Sequence, residues 1–358
     1  MEKDLDIAGL CVSPQTPIRR AAASMDKKHF GLVLVVDSRR KLLGTVTDGD
    51  LRRALLAKIN LDLPVNILLE RKKGTRYAKP LTAPVDAPRE FCLAILKKHN
   101  VLHLPLLDKR GRVAGLATRD DFLPGKALPL QAVVMAGGKG SRLFPLTKNT
   151  PKPLLPVGDK PMMEIIINQL RELGIKQVQV STHHQREKIT DHFGNGKNFG
   201  VDLSYLHENR PLGTAGALGL MSDSSETTLV MNGDVLTQVN FRAMLKYHRE
   251  MKADLTTAVC QYDFKIPYGV VECDGARVHR INEKPTLEFF VCAGIYLLEP
   301  SARKLIPKGR RFDMTDLIAR LIARGRKVAS FPIREYWLDI GKPADYARAQ
   351  RQAQAWVK

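Results

Sequence analysis

Leu130-Gln131-Ala132-Val133-Val134-Met135-Ala136 runs directly into Gly137-Gly138-Lys139-Gly140-Ser141-Arg142-Leu143. The first seven residues carry no charge and read as a strand buried on both faces, the pattern of a parallel sheet covered by helices. The glycines that stop it let backbone N–H groups approach phosphate oxygens with no Cβ in the way. Two common loops of this kind are excluded. The fingerprint G-x-G-x-x-G would need a glycine where Leu143 stands, and the P-loop G-x-x-x-x-G-K-[ST] occurs nowhere in the chain. The loop is therefore of a third kind, with Arg142 and Lys152 close by in sequence to meet phosphate charge.

Further along, Thr228-Leu229-Val230-Met231 reads as a second buried strand, and Asn232-Gly233-Asp234 sets a carboxylate at its C-terminal end. In α/β sheets with parallel strands, ligands collect at that edge. Asp339 follows another short apolar segment and precedes a glycine, so it too is expected at a strand end. Two carboxylates from distant parts of the chain suit Mg²⁺, which usually takes one or two protein oxygens alongside phosphate oxygens. A single Asp in a turn is more often a cap. His183-His184 and His192 lack H-E-x-x-H spacing and are read as ordinary surface residues. Cys260, Cys273 and Cys292 are read as small core residues, and Met162-Met163 as packing at a helix start.

Upstream of the glycine loop the chain repeats itself. Gly44-Thr45-Val46-Thr47-Asp48-Gly49-Asp50 and Gly115-Leu116-Ala117-Thr118-Arg119-Asp120-Asp121 share Gly-x-x-Thr-x-x-Asp at an offset of 71 (115 − 44). Leu34-Val35-Val36-Asp37 and Pro105-Leu106-Leu107-Asp108 stand at the same offset. Each copy reads as β-α-β-β-α, with helical spacing over Pro17–Lys28 and Ala87–Asn100. Leu123-Pro124-Gly125-Lys126-Ala127-Leu128-Pro129 has boundary punctuation. The expected domains are 1–125 and 130–358, joined by a linker over 126–129.

Composition narrows the classes. A chain of 358 residues, 44% hydrophobic and 26% charged, belongs with ordinary globular proteins of two or three domains. No apolar run approaches the roughly 20 residues of a membrane span, and Met1-Glu2-Lys3-Asp4 lacks a secretory apolar stretch. Five cysteines without C-x-x-C spacing indicate neither zinc nor a disulfide framework, so a reducing cytoplasm is expected. The net charge of +20 is spread evenly, +9 up to Leu123 and +11 beyond. Such charge can serve nucleic acid, an anionic membrane or polyanionic small substrates, but with no basic tail and only 6% aromatics it reads as a solvated basic surface, and nucleic-acid and membrane partners are not expected.

Gly137 to Leu143 followed by Lys152-Pro153 resembles the signature of sugar-phosphate nucleotidyltransferases, the nucleoside-diphosphate-sugar pyrophosphorylases. The resemblance covers 130–358 and continues, in the family's order, through Pro211-Leu212-Gly213-Thr214-Ala215-Gly216, Asn232-Gly233-Asp234, Glu283-Lys284-Pro285, Ala293-Gly294-Ile295-Tyr296 and Trp337-Leu338-Asp339-Ile340-Gly341. It implies an α/β fold with a Rossmann-like, GT-A-like mixed sheet flanked by helices. The implied reaction is attack of a sugar 1-phosphate on the α-phosphorus of a nucleoside triphosphate. It also implies roles: Arg142, with the N–H groups of Gly138, Gly140 and Ser141 in the loop that Gly137 opens, for the leaving pyrophosphate; Lys152 for the reacting phosphates; Asp234 and Asp339 for Mg²⁺. Gly213 and Thr214 would lie beside the base. Tyr268-Gly269 and Glu283 would approach the sugar, and Lys284 its phosphate. The N-terminal repeat resembles a tandem CBS pair, the Bateman module, an α+β unit. That implies an adenosine or guanosine nucleotide held through Thr47 and Asp50 or Thr118 and Asp121, although Thr and Asp are also good helix caps.

Fused pairs of this type look most like sugar-1-phosphate guanylyltransferases acting on mannose or glucosamine 1-phosphate for surface glycans. GTP is the expected donor and a homo-oligomer the expected assembly. A uridylyl- or thymidylyltransferase of the same family is the alternative, and a non-catalytic nucleotide sensor the alternative from another class.

Overall fold

The 71-residue repeat is visible strand by strand in the computed structural model, which describes residues 7–28, 31–75, 78–99, 101–118 and 127–353. The chain divides into two units, Met1–Lys126 and Ala127–Lys358. In the first, Cys11–Val12, Leu32–Val36 and Leu42–Thr47 form one three-stranded sheet. Ala83–Pro84, His103–Leu107 and Val113–Thr118 form the other. Both pair their first two strands parallel and their last two antiparallel. Val35 faces Gly44 and Leu106 faces Gly115, with a bulge immediately after Val35 and after Leu106. The helices Ile18–Lys28 and Arg89–Lys98 begin 71 residues apart.

The two copies meet around a local pseudo-two-fold axis. Leu42 donates its N–H to Gly111 and Val113 donates to Arg40, two bonds that exchange under the repeat. Leu10, Leu32, Leu34 and Val36 from the first copy share a buried cluster with Val113 and Leu116 from the second. The duplication thus produces one unit with a common core. The helix Asp48–Leu56 closes the first copy; its counterpart, with Asp121, lies outside the described residues.

The second unit is built on a seven-stranded mixed sheet. Its order is Asp202–His207, Gln177–Thr182, Gln131–Met135, Thr228–Asn232, Thr286–Leu298, Leu255–Lys265, Val328–Pro332. The first four are parallel, and Thr286–Leu298 alone runs against its neighbours. Ala132, Val133 and Val134 are wholly buried, as the uncharged run requires. The helices Met162–Glu172, Phe241–Met251 and Met314–Ala323 turn apolar faces to the sheet, and Met162 and Met163 are both core residues. Leu128 packs into this core and donates its N–H to Leu173. No helix among the described residues is long and apolar enough to cross a membrane.

Candidate active site

Four segments leave the C-terminal ends of the parallel strands side by side, and each carries a polar group. The glycine loop follows Met135, His183 follows Thr182, Glu208 follows His207 and Asp234 follows Asn232. Lateral bonds tie the segments: Ala136 N–H donates to the Ser181 carbonyl and Gly233 N–H to the Met135 carbonyl. Gly140 has φ +63°, and a Cβ there would stand 2.9 Å from Thr147 Cγ2 and 3.2 Å from Lys152 Cβ. Glycine relieves both the left-handed strain and the close approach. The Thr147 hydroxyl closes the loop by donating to the Gly140 carbonyl at 2.9 Å. Gly138 is open on its Cα side, and Ser141 and Arg142 are exposed. The loop therefore presents backbone and a guanidinium to solvent.

Arg142, Lys152, Asp234 and Asp339 converge. Asp234 sits beside a short antiparallel pair, Val235–Thr237 with Trp337–Asp339, in which Val235 faces Asp339. This pairing brings together carboxylates about a hundred residues apart. The Ile340 N–H donates to the Asp234 carbonyl at 3.0 Å. The ammonium of Lys152, itself nearly buried, donates to Asp234 Oδ2. Arg142 Nη1 lies 3.3 Å from where a Cβ on Gly341 would stand, and Asp339 Oδ2 3.6 Å from it. Burial, and the Asp234 carboxylate beside it, push the Asp339 carboxyl above the usual range, while Lys152 and Arg142 pull it down. Asp339 Oδ1 is buried without a hydrogen-bond partner, a costly arrangement for an acceptor. Its orphaned oxygen, with a second carboxylate at hand, fits a hard divalent cation completed by phosphate oxygens. Among the described residues no group of three or more His, Cys, Asp and Glu offers a metal cage.

Glu208 was not read from the sequence, although it ends its strand as Asp234 does. Its Oε1 lies 2.7 Å from where a Cβ on Gly137 would stand, so Gly137 is the residue that admits it. Its Oε2 accepts the Leu212 N–H at 2.8 Å. Burial raises its carboxyl above the usual range, against the N–H of Leu212 and the Ser181 hydroxyl. Glu208 thus braces the glycine loop from behind and holds the segment leading to Gly213. His183 Nδ1 bonds the Glu208 carbonyl at 2.9 Å. Gly213 and Thr214 open a short helical turn pinned to Asp313, whose Oδ1 accepts the Thr214 N–H at 2.9 Å. The Thr214 hydroxyl accepts from Met314 N–H at 2.8 Å, so its side chain is engaged within the fold.

Gly269, Glu283 and Lys284 form a separate group. Glu283 Oε2 lies 3.0 Å from a Cβ position on Gly269, and Lys284 Nζ 3.7 Å from Glu283 Oε1, both side chains about 70% exposed. No hydrogen bond or ion pair among the described residues joins them to the Asp234 cluster. Cys260 is buried as expected; Cys273 and Cys292 are exposed, which corrects the reading of them as core residues. Cys273 lies in the separate two-stranded pair Val270–Asp274 with Arg277–Asn282, and Cys292 in the exposed half of Thr286–Leu298.

In the first unit, Asp50 is 7% exposed and fully engaged. Its Oδ2 accepts the N–H and hydroxyl of Thr47 at 2.8 and 2.9 Å and meets Lys72 Nζ at 2.5 Å. Its Oδ1 accepts from Arg53 at 2.6 Å. Burial opposes ionisation, but Lys72, Thr47 and Arg53 outweigh it and hold the carboxyl below the usual range. Thr118 is buried at the end of its strand.

A solvent-exposed glycine loop thus stands with a lysine-braced carboxylate and its partner Asp339 at the end of the sheet. The chain belongs to the nucleotidyl transferase family, whose model matches residues 131–355. CBS domains match at 3–57 and 76–124, so a CBS pair precedes the transferase fold. Among curated relatives, a UTP–glucose-1-phosphate uridylyltransferase of Synechocystis sp. is 32% identical over 243 residues, 62% of this chain and 63% of the relative. A D-glycero-alpha-D-manno-heptose 1-phosphate guanylyltransferase of Aneurinibacillus thermoaerophilus is 31% identical over 231 residues, 64% of this chain and 100% of the relative. A solved structure of a candidate glucose-1-phosphate thymidylyltransferase from Bacillus anthracis superposes with a TM-score of 0.52 at 27% identity, covering 63% of this chain and 95% of that one.

Proposed function

We propose that this protein transfers a nucleoside monophosphate from a nucleoside triphosphate, GTP, to a sugar 1-phosphate of the mannose or glucosamine type, releasing pyrophosphate. The convergence of Arg142, Lys152, Asp234 and Asp339 beside the glycine loop carries this reading. A sugar-phosphate oxygen forms the new bond to the α-phosphorus while the bond to the β-phosphate oxygen breaks. The nucleophile is already an anion, so alignment and charge neutralisation carry the rate and no general base is needed. Asp234 and Asp339 would hold Mg²⁺, which would supply charge neutralisation on the phosphates. Lys152 fixes the Asp234 carboxylate and lends a positive charge where the phosphates meet. Arg142 and the N–H groups of Gly138, Gly140 and Ser141 hold the departing pyrophosphate. Gly213 and Thr214 frame the base, and Glu283, Gly269 and Lys284 the sugar phosphate.

Guanine is favoured by the heptose 1-phosphate guanylyltransferase, a relative covered over its whole length whose sugar is manno-configured. The uridylyl and thymidylyl relatives keep the alternative bases in view. The CBS pair would bind an adenosine or guanosine nucleotide and adjust the rate, in a reducing cytoplasm that suits five free thiols. A panel of GTP, UTP and dTTP against mannose, glucosamine and glucose 1-phosphates, scored by pyrophosphate release, tests the assignment. GTP with a manno- or glucosamine-type acceptor should give the highest kcat/KM. UTP or dTTP tenfold better would reassign the donor, and no turnover with any pair would return the chain to the sensor class.

A further inference from the structure

The first CBS copy carries a segment that the second copy lacks. Residues 66–75 form the short helix Asn66–Glu70 and the turn that follows it. At the offset of 71 their counterparts are 137–146 (66 + 71 to 75 + 71), which belong to the glycine loop of the second unit. The segment is laid against its own copy by Leu69. A Cβ on Gly44 would stand 2.7 and 2.9 Å from the two Leu69 methyl carbons, so the absent side chain of Gly44 is what admits Leu69. At the repeated position, the atoms nearest a Cβ on Gly115 belong to Leu106, of its own sheet. Bonds along the turn then fix Lys72. Its N–H donates to the Leu69 carbonyl at 3.0 Å, and its carbonyl accepts the N–H and hydroxyl of Thr75 at 3.0 and 2.8 Å. Lys72 Nζ, on a side chain only 11% exposed, reaches the Thr45 carbonyl at 2.8 Å and Asp50 Oδ2 at 2.5 Å.

We infer that Lys72 is a built-in occupant of the first copy's nucleotide seat, which leaves the second copy as the one nucleotide site of the pair. The inference rests on the reading of the CBS pair as a nucleotide binder. Asp50 Oδ2 takes three donors, the N–H and hydroxyl of Thr47 and the Lys72 ammonium. A carboxylate oxygen offers about two lone-pair sites, so a ribose hydroxyl enters only when a donor leaves. The Thr47 donors belong to the capping box of the helix Asp48–Leu56, and Arg53, which meets Oδ1, stands on that same helix. Of these donors, Lys72 is the one that comes from outside the repeated motif. Tethered by a short turn, its ammonium competes at an effective concentration of about millimolar or higher. The counterpart of Lys72 at the repeat offset is Leu143, apolar and buried in the core of the second unit. The second copy therefore carries no ammonium at that position of the repeat.

The test counts nucleotide sites on the full chain by calorimetry, with AMP in one series and GMP in another. Three proteins are compared: wild type, Lys72→Met, which keeps the apolar stem and removes the charge, and Lys72→Met/Asp50→Asn. Lys72→Met should bind one nucleotide per chain more than wild type, and the double variant should lose that added site and keep the others. Affinity at the first seat should rise about 10- to 100-fold, the scale of one charged hydrogen bond. Wild-type sites retained at unaltered affinity show that the variant pair still folds; where Lys72→Met does not fold, Lys72→Gln takes its place with the same expected count. An unchanged count overturns the inference, leaves the nucleotide reading intact and makes the Lys72–Asp50 ion pair structural. A wild-type site abolished by Asp50→Asn alone overturns it as well, because the first copy would then be open. If neither nucleotide binds wild type or variant below millimolar concentration, the nucleotide reading fails and the inference fails with it.

Discussion

Asp339 holds a buried oxygen with no hydrogen-bond partner among the described residues, and Asp234 accepts from the Lys152 ammonium. The amide of Asn keeps the size of the carboxylate and discards its charge. Asp234→Asn and Asp339→Asn should therefore each fold normally and lose turnover by about 10²–10³, the usual scale for a lost electrostatic contact to the reacting group. Near-wild-type kcat in both at saturating Mg²⁺ would remove the pair from the chemistry. Arg142 and Lys284 test the two ends of the site. Arg142→Ala should depress kcat more than it raises KM for the sugar 1-phosphate, and Lys284→Ala should chiefly raise that KM. Exchanged phenotypes would mean that the ends are reversed. Asp234 was legible in the sequence because an apolar run stops at it, and the same logic reaches Glu208. Glu208 was passed over because it lies between an alternating edge strand and a proline, a setting that reads as loop. What makes it matter is its contact with Gly137, seventy-one residues away, and no local pattern carries that.

The strands were readable for a similar reason. Gln131–Met135 is central and buried on both faces, so its composition is unambiguous, and the repeat fixed the first unit through paired positions. The exposure of residues 261–290 was not readable: their strands alternate like half-buried ones, yet none of these residues is buried. Helix Phe241–Met251 hides another element-level feature. His248, 1% exposed, bonds Thr256 Oγ1 through Nδ1 at 2.7 Å and Glu299 Oε1 through Nε2 at 2.9 Å. Burial lowers its affinity for protons below the ordinary value, although Glu299 opposes this. The unfolded chain then binds the extra proton between the depressed native value and about 6.5, so stability rises with pH through that window and is lost as pH falls through it. Urea midpoints of the full chain should drop between pH 7.5 and pH 5.5. His248→Gln should be less stable at pH 7.5 yet show a flatter profile; an equal slope in both proteins would place the sensitivity elsewhere.

At the scale of the whole chain, a CBS pair of common core is fused to a transferase fold. Asp50 already spends its carboxylate on Thr47, Lys72 and Arg53. A ribose at the first copy would have to displace one of these donors, whereas Thr118 and Asp121 of the second copy are the alternative seat. Calorimetric titration of AMP, ATP and GTP into the full chain and into Asp50→Asn separates the two. Undiminished affinity in Asp50→Asn assigns the ligand to the second copy, and lost affinity to the first. Because a carboxylate accepting ribose hydroxyls gives about 1.5–3 kcal/mol for a charged hydrogen bond, the 2′-deoxy nucleotide should bind roughly tenfold or more weaker. Binding alone would not regulate, since a ligand shifts activity only through differential affinity for two conformations. The same nucleotide should therefore change kcat/KM of the full chain and leave a chain beginning at Leu128 unaffected. If no nucleotide binds below millimolar concentration, or if it binds and both chains respond alike, the pair is a structural module and the transferase runs without it.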